Sequence, residues 1–165
     1  MKSVLIVMGS ENDYSKVEPA FKVLKDYKIP FKVSVASAHR SPSRAVELAK
    51  NARSDGHAVI IAAAGAANHL GGAMAANSTL PVIGLPLEVG GLGGMDALLS
   101  TVQMPGGVPI AGVGINAAKN AGLIAASIIS NLDENLAKAL DEERIVLGQK
   151  VVEADARVQK KLSEL

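Results

Sequence analysis

The sequence predicts an α/β protein, a three-layer α/β/α sandwich around a parallel sheet with a long C-terminal helix. Three observations predict it. Short apolar runs bounded by Gly, Pro or polar loops recur at residues 3–8, 31–35, 58–63, 81–85 and 108–113, the pattern of strands buried on both faces. Segments of helical spacing separate them, which gives βαβ units with right-handed crossovers and helices on both faces. From Asp133 onward the pattern changes to one apolar stripe on an otherwise charged segment.

The elements follow in order. After the first strand, Gly9-Ser10 makes a turn and Asn12 or Asp13 caps a helix, along which Tyr14, Val17, Phe21 and Leu24 recur at helical spacing. Pro30 precedes the second strand. Ser41-Pro42 starts the next helix, with Ser as N-cap and Pro at the first helical position. That helix is expected to run to about residue 55, where Gly56 ends it. Further helices are expected near 68–77, 94–103 and 117–130. The last of these is apolar nearly all round, which calls for burial on every side. In the C-terminal segment, Leu136, Leu147 and Val158 repeat every eleven residues, as do Leu140, Val151 and Leu162. Eleven residues make three turns, so both series stay on one face of a nearly straight helix. The chain reads as one domain over 1–165, with a helical extension at about 133–163.

Composition excludes several function classes. The chain has no cysteine, so disulfides, thiolate metal sites and a cysteine nucleophile are out. A net charge of +1 and four aromatic rings, Tyr14, Phe21, Tyr27 and Phe31, argue against a nucleic-acid or anionic-membrane binder. Between Ala58 and Ala118 the only charged residues are Glu88 and Asp96, and that stretch holds twelve of the sixteen glycines. It is no membrane span, because Asn68, His69, Asn77, Ser78, Pro81 and Pro86 interrupt it. The expectation is a soluble, cytoplasmic protein.

In a parallel sheet of this kind, ligands sit beyond the carboxyl ends of the strands. Gly9-Ser10, Ser37-Ala38-His39-Arg40, residues 65–69 and residues 88–94 all fall at those ends. His39 brings a side chain with a pKa of about 6.5, suited to proton transfer at neutral pH, and Arg40 beside it can fork onto a phosphate. His69 follows a run of small residues that let the backbone approach a ligand. Ser10 and Asp13 offer an anion site and acceptors for ribose hydroxyls at a helix start, although capping alone would also account for them. His57 falls at the far end of the sheet and is expected on the surface. No histidine–carboxylate spacing suggests a metal, and neither a dinucleotide fingerprint nor a P-loop is present.

The ordered set Met8-Gly9-Ser10 with Asp13, Ser37-Ala38-His39-Arg40-Ser41-Pro42, the Ala/Gly run ending in His69-Leu70, Leu80-Pro81-Val82-Ile83-Gly84-Leu85-Pro86, Asp96 and Gln103-Met104-Pro105-Gly106-Gly107-Val108-Pro109 resembles the PurE family of purine biosynthesis, over about residues 4–126. The resemblance implies a flavodoxin-like sandwich assembled as a homo-octamer. It implies an N5-carboxyaminoimidazole ribonucleotide mutase activity on a ribonucleotide substrate, without metal or cofactor. It also implies His39 as the catalytic residue, Ser10 and Asp13 on the substrate with Asp13 at the ribose, Arg40 with Ser37 on the phosphate, and Gly65 and His69 around the base. Asn68 and Leu70-Gly71 resemble instead the family's second class, which carboxylates aminoimidazole ribonucleotide directly with CO2. Arg40, His69 and Gln103-Met104-Pro105 resemble the mutase class. The remaining alternatives are a paralogue that uses the same carboxylation site on a different heteroaromatic nucleotide and a non-catalytic nucleotide- or flavin-binding module on the same fold.

Overall fold

The structure, a computed structural model, describes residues 2–165. Its five parallel strands are β1 (Ser3–Met8), β2 (Phe31–Val35), β3 (His57–Gly65), β4 (Val82–Leu87) and β5 (Ala111–Gly112), in the order β2-β1-β3-β4-β5. This is the flavodoxin-like order. The helices are α1 (Tyr14–Asp26), α2 (Pro42–Asn51), α3 (Leu70–Ala76), α4 (Met95–Val102), α5 (Ala118–Ser130) and α6 (Glu134–Ser163). The chain divides into two compact units, residues 1–129 and 130–165.

The near absence of charge in the middle of the sequence has a direct cause. β3 and β4 occupy the inner positions of the sheet, and every residue of β4 is buried. Charges there would lose hydration on both faces at once. One side of the sheet packs Leu5, Val7, Ile60, Ala62 and Val82 against Ala45 and Ala49 of α2 and Leu70 and Met74 of α3. Gly84 is required by this packing, since a β-carbon there would lie 2.3 Å from Thr101 Cγ2 and 2.9 Å from Ile110 Cγ2.

Four local expectations need correction. β5 is two exposed residues instead of six, because it is an edge strand in a segment with Pro105 and Pro109 and pairs only Ile83–Ala111 and Gly84–Gly112. α2 ends at Asn51, and Gly56, at φ +88°, closes the turn that follows. Ser41 is the N-cap of α2 and Pro42 its first residue, as expected, but the Ser41 side chain makes no cap bond, because its Oγ accepts from Ser37 N at 2.9 Å. His57 is buried, not on the surface, with Nδ1 2.8 Å from Ser3 Oγ. β3 begins one residue earlier than expected, which carries His57 into the sheet. Burial pushes the His57 pKa down, opposed by Asp55 and seconded by Lys32.

α5 buries Ala118, Ala121, Gly122, Ala125, Ala126 and Ile129, while Leu123, Ile124 and Ile128 are half-buried. In the second unit, Asp133 caps α6 by accepting from Asn135 N and Leu136 N, both at 3.1 Å. Leu147, Val151, Val158 and Leu162 on its stripe are 48–70% exposed. No helix among the described residues is long and apolar enough to cross a membrane.

Candidate active site

The strand order reverses direction between β1 and β3, and in a doubly wound sheet that switch point opens a crevice at the carboxyl ends of the strands. The loops after β1, β2 and β3 meet there around a cavity of about 290 Å³. Gly9, Ser10 and Asp13 come from the first loop, Ser37 to Arg40 from the second, and Ala64 to Ala67 from the third. Leu70 and Val89 complete the wall. A neighbouring cleft of about 390 Å³ shares Gly9, Ser10, Ser37 and Arg40 and extends toward Glu11 and Ser41.

Each polar wall is locally built. Ser10 N donates to Asp13 Oδ2 at 3.0 Å while Ser10 Oγ accepts from Asn12 N at 3.3 Å, a reciprocal cap. Ser10 and Asp13 therefore cap the turn and line the cavity at the same time. Burial pushes the Asp13 pKa up, opposed by the Ser10 N–H, Lys16 and Arg40. On the second loop, Arg40 N donates to Ser37 Oγ at 3.2 Å, and Arg40 Nη2 donates to Gly9 O at 3.2 Å. The guanidinium thus ties the β2 loop to the β1 loop and keeps its remaining donors at the cavity rim.

His39 and His69 form the centre. His39 Nε2 lies 2.8 Å from His69 Nδ1, with the rings edge-on at 71°. Both are exposed. His39 lines the cavity itself, whereas His69 stands against His39. The facing wall is small and apolar. Ala66 sits at φ +53°, a strained setting for a residue with a β-carbon and one common at functional sites. Gly65 makes room for Val89, because a β-carbon there would lie 2.2 Å from Val89 Cγ2.

All seven sequence-predicted positions, Ser10, Asp13, Ser37, His39, Arg40, Gly65 and His69, therefore converge on one rim. Sequence reasoning missed Lys16, which donates to Glu88 O and acts on Asp13. It stands one helical turn after Asp13, and that spacing was the available signal. It also missed Val89 as a wall. Glu88 was placed at the rim, and there its Oε2 accepts from Asn116 Nδ2 at 3.2 Å while its N–H donates to Asn116 Oδ1 at 3.0 Å. Asp96 belongs to the first turn of α4, within the helix expected near 94–103. A larger cavity of about 850 Å³ lies at the start of β4, lined by Lys50, Arg53, residues 75–82 and residues 107–109. It contains no histidine or carboxylate, so size and acid–base chemistry separate here. Among the described residues, no group of three or more His, Cys, Asp or Glu is placed to hold a metal ion.

A doubly wound parallel sheet with paired imidazoles, a buried carboxyl and a guanidinium around a cavity at its switch point defines the class, a flavodoxin-like α/β protein with a candidate small-molecule site. The profile of the AIR carboxylase family matches residues 3–150, and the chain belongs to that family. It is 50% identical over 151 residues to the N5-carboxyaminoimidazole ribonucleotide mutase of Bacillus subtilis (strain 168), covering 90% of this chain and 93% of that protein. It is 44% identical over 159 residues to the mutase of Thermotoga maritima, covering 96% and 93%. Among solved structures, Treponema denticola PurE superposes with a TM-score of 0.84 at 30% identity, over 93% of this chain and 96% of that one.

Proposed function

We propose that the chain is an isomerase, an N5-carboxyaminoimidazole ribonucleotide mutase that moves the carboxylate from N5 to C4 and gives 4-carboxy-5-aminoimidazole ribonucleotide in de novo purine biosynthesis. The observation that carries the reading is His39 on the small-walled cavity with His69 2.8 Å from its Nε2. His39 gives a proton to N5 as the N5–carboxyl bond breaks, leaving aminoimidazole ribonucleotide and CO2 in the cavity. C4 then attacks CO2, a carbon–carbon bond forms, and His39 takes the C4 proton as the ring regains aromaticity. His39 gives one proton to N5 and takes another from C4, so it ends as it began and the conversion draws on no cofactor. Positioned proton transfer contributes about 10²–10⁴-fold, and holding CO2 beside C4 adds a proximity term. The walls at Ala64, Gly65, Ala66 and Ala67 suit a small apolar gas. His69 accepting at Nδ1 would stabilise His39 while it carries the proton.

In this reading Ser10 and Asp13 bind the substrate, Asp13 at the ribose, and Arg40 with Ser37 takes the phosphate. Gly65 and His69 border the base. The protein works in the cytoplasm as a single-domain subunit of a homo-octamer. The exposed stripe of α6 gives the assembly a surface to bury, and a monomer mass by light scattering would refute it. Asn68 and Gly71 favour a second reading, direct carboxylation of aminoimidazole ribonucleotide. Assaying the carbamate substrate against the amine plus bicarbonate separates the two. In the mutase reading, His39→Asn still binds the ribonucleotide and turns over at least ~10²-fold more slowly. Near-normal turnover removes His39 from the mechanism.

A further inference from the structure

We propose that Asn68 is a positioning residue that pins the loop after β3 to helix α4 through Thr101 and so holds His69 against His39. The inference rests on the reading that His39 moves the proton, and it deepens that reading by naming what fixes the imidazole pair.

Asn68 immediately precedes the exposed His69, yet it is only 1% exposed itself. Its backbone N–H donates to Ser100 Oγ at 2.9 Å, and its Nδ2 donates to Thr101 Oγ1 at 3.0 Å. Both hydroxyls are already oriented. Ser100 Oγ donates to Asp96 O at 2.8 Å, and Thr101 Oγ1 donates to Ala97 O at 2.7 Å. Each hydroxyl has one proton, now committed to the helix, so the side facing Asn68 can only accept. The Thr101 rotamer is fixed further because its methyl occupies the space above Gly84.

On its other side the loop runs into α3, where His69 O accepts from Ala73 N at 3.0 Å; before His69, the Asn68 contacts are its anchors to α4. Ala66 lies at φ +53°, and His69 N reaches back only to Ala67 O at 2.8 Å. Asn68 Oδ1 is buried with no partner among the described residues. An asparagine that merely filled space here would be a poor choice, since a buried unpaired carbonyl is costly where an apolar side chain is not. What the amide supplies is direction. It locks the residue before His69 onto a helix, and His69 reaches His39 from there at 2.8 Å.

Thr101→Val keeps the side chain's shape and removes the acceptor, while Thr101→Ser keeps the acceptor. Steady-state turnover of N5-carboxyaminoimidazole ribonucleotide and ¹H–¹⁵N spectra of the imidazoles in the ligand-free protein are measured on both. Thr101→Val is expected to lower kcat by about 10–100-fold with KM unchanged and to shift the ring nitrogens of His39 and His69. Thr101→Ser is expected to restore both. Ser100→Ala, at a half-buried position, removes the second anchor and is expected to move both readouts the same way by less, which keeps the test open if the valine variant does not fold. The proposal is overturned if the imidazole resonances of Thr101→Val, or of Ser100→Ala where only that variant folds, coincide with those of the parent. It is equally overturned if Thr101→Ser is as impaired as Thr101→Val, which would assign the effect to packing over Gly84. A parent that turns over neither ribonucleotide would end the functional reading, and the spectra would still decide the role of Asn68.

Discussion

Gly65→Ala separates the shape of the cavity from the stability of the fold. Gly65 ends β3 and faces Val89, the first apolar residue after β4. A β-carbon at Gly65 would lie 2.2 Å from Val89 Cγ2, 2.7 Å from Val89 Cβ and 3.0 Å from Leu87 O. Carbon–carbon contacts settle at about 3.5–4.0 Å, so Val89 must retreat by roughly 1.3 Å or more. It can do so. Val89 is exposed and leads into Gly90-Gly91-Leu92-Gly93-Gly94, so most of the displacement goes into the loop, and the sheet gives only a few tenths of an ångström at Leu87 O. The wall of the cavity moves instead, and a misplacement of about 1 Å near reacting groups costs up to ~10²-fold in rate. Turnover of N5-carboxyaminoimidazole ribonucleotide should therefore fall by about 10–100-fold, with Tm lowered by no more than a few degrees. Val89→Gly removes both clashing carbons, so the double variant should recover most of the loss, a coupling of about 0.5–3 kcal/mol. Activity within twofold of the parent for Gly65→Ala, or an unchanged loss when Val89 is also glycine, would refute the steric account.

Other outcomes follow from buried groups. Burial holds the Asp13 carboxyl above its ordinary range, so just above that range the native state keeps a proton the unfolded chain has released, and this group's contribution to stability falls as pH rises through the native pKa. Asp13→Asn can keep an acceptor for Ser10 N. Its stability relative to the parent should therefore rise with pH across that window while KM for the ribonucleotide climbs about 10-fold or more; urea titrations at several pH values with no such difference would exclude the carboxyl. His57 behaves oppositely. Its native pKa is held below about 6.5 by burial, so as pH falls through 6.5 the unfolded chain binds a proton the native state refuses, and stability drops. His57→Asn should flatten that part of the profile, and a slope equal to the parent's between pH 7 and 5 would assign the loss elsewhere. Gly122→Ala places a methyl 3.0 Å from Val23 Cβ and 3.1 Å from Ala20 O. Overpacking of about 1–3 kcal/mol should outweigh a helix-propensity gain of about 1 kcal/mol, so Tm should fall; a higher Tm would mean that α1 and α5 yield without cost.

The sequence carried the sheet and its ligand rim because both depend on local signals. Apolar runs fix which strands are inner, and strand ends fix which loops face the ligand, so Ser10, His39 and Gly65 could be brought together without coordinates. β5 and the end of α2 were less legible. An edge strand needs few hydrogen bonds, and nothing in residues 108–113 says that only two of them find partners. His57 went wrong for a related reason. A histidine after Gly56 reads as a loop residue until the pairing of Ser3 with His57 draws it under the sheet. The deepest illegibility lies in how the site is held. Thr101 and Ser100 are more than thirty residues from Asn68, and no spacing rule links a helix hydroxyl to a loop amide at that separation. In the proposed mechanism the acid–base group is read from one hexapeptide, whereas the proposed anchor of its partner imidazole is a remote helix. On that proposal, variants that leave the Ser37–Arg40 motif intact still lose the reaction when the contact between α4 and the loop after β3 is cut, and a match that includes this contact says more about activity than a match to the motif alone.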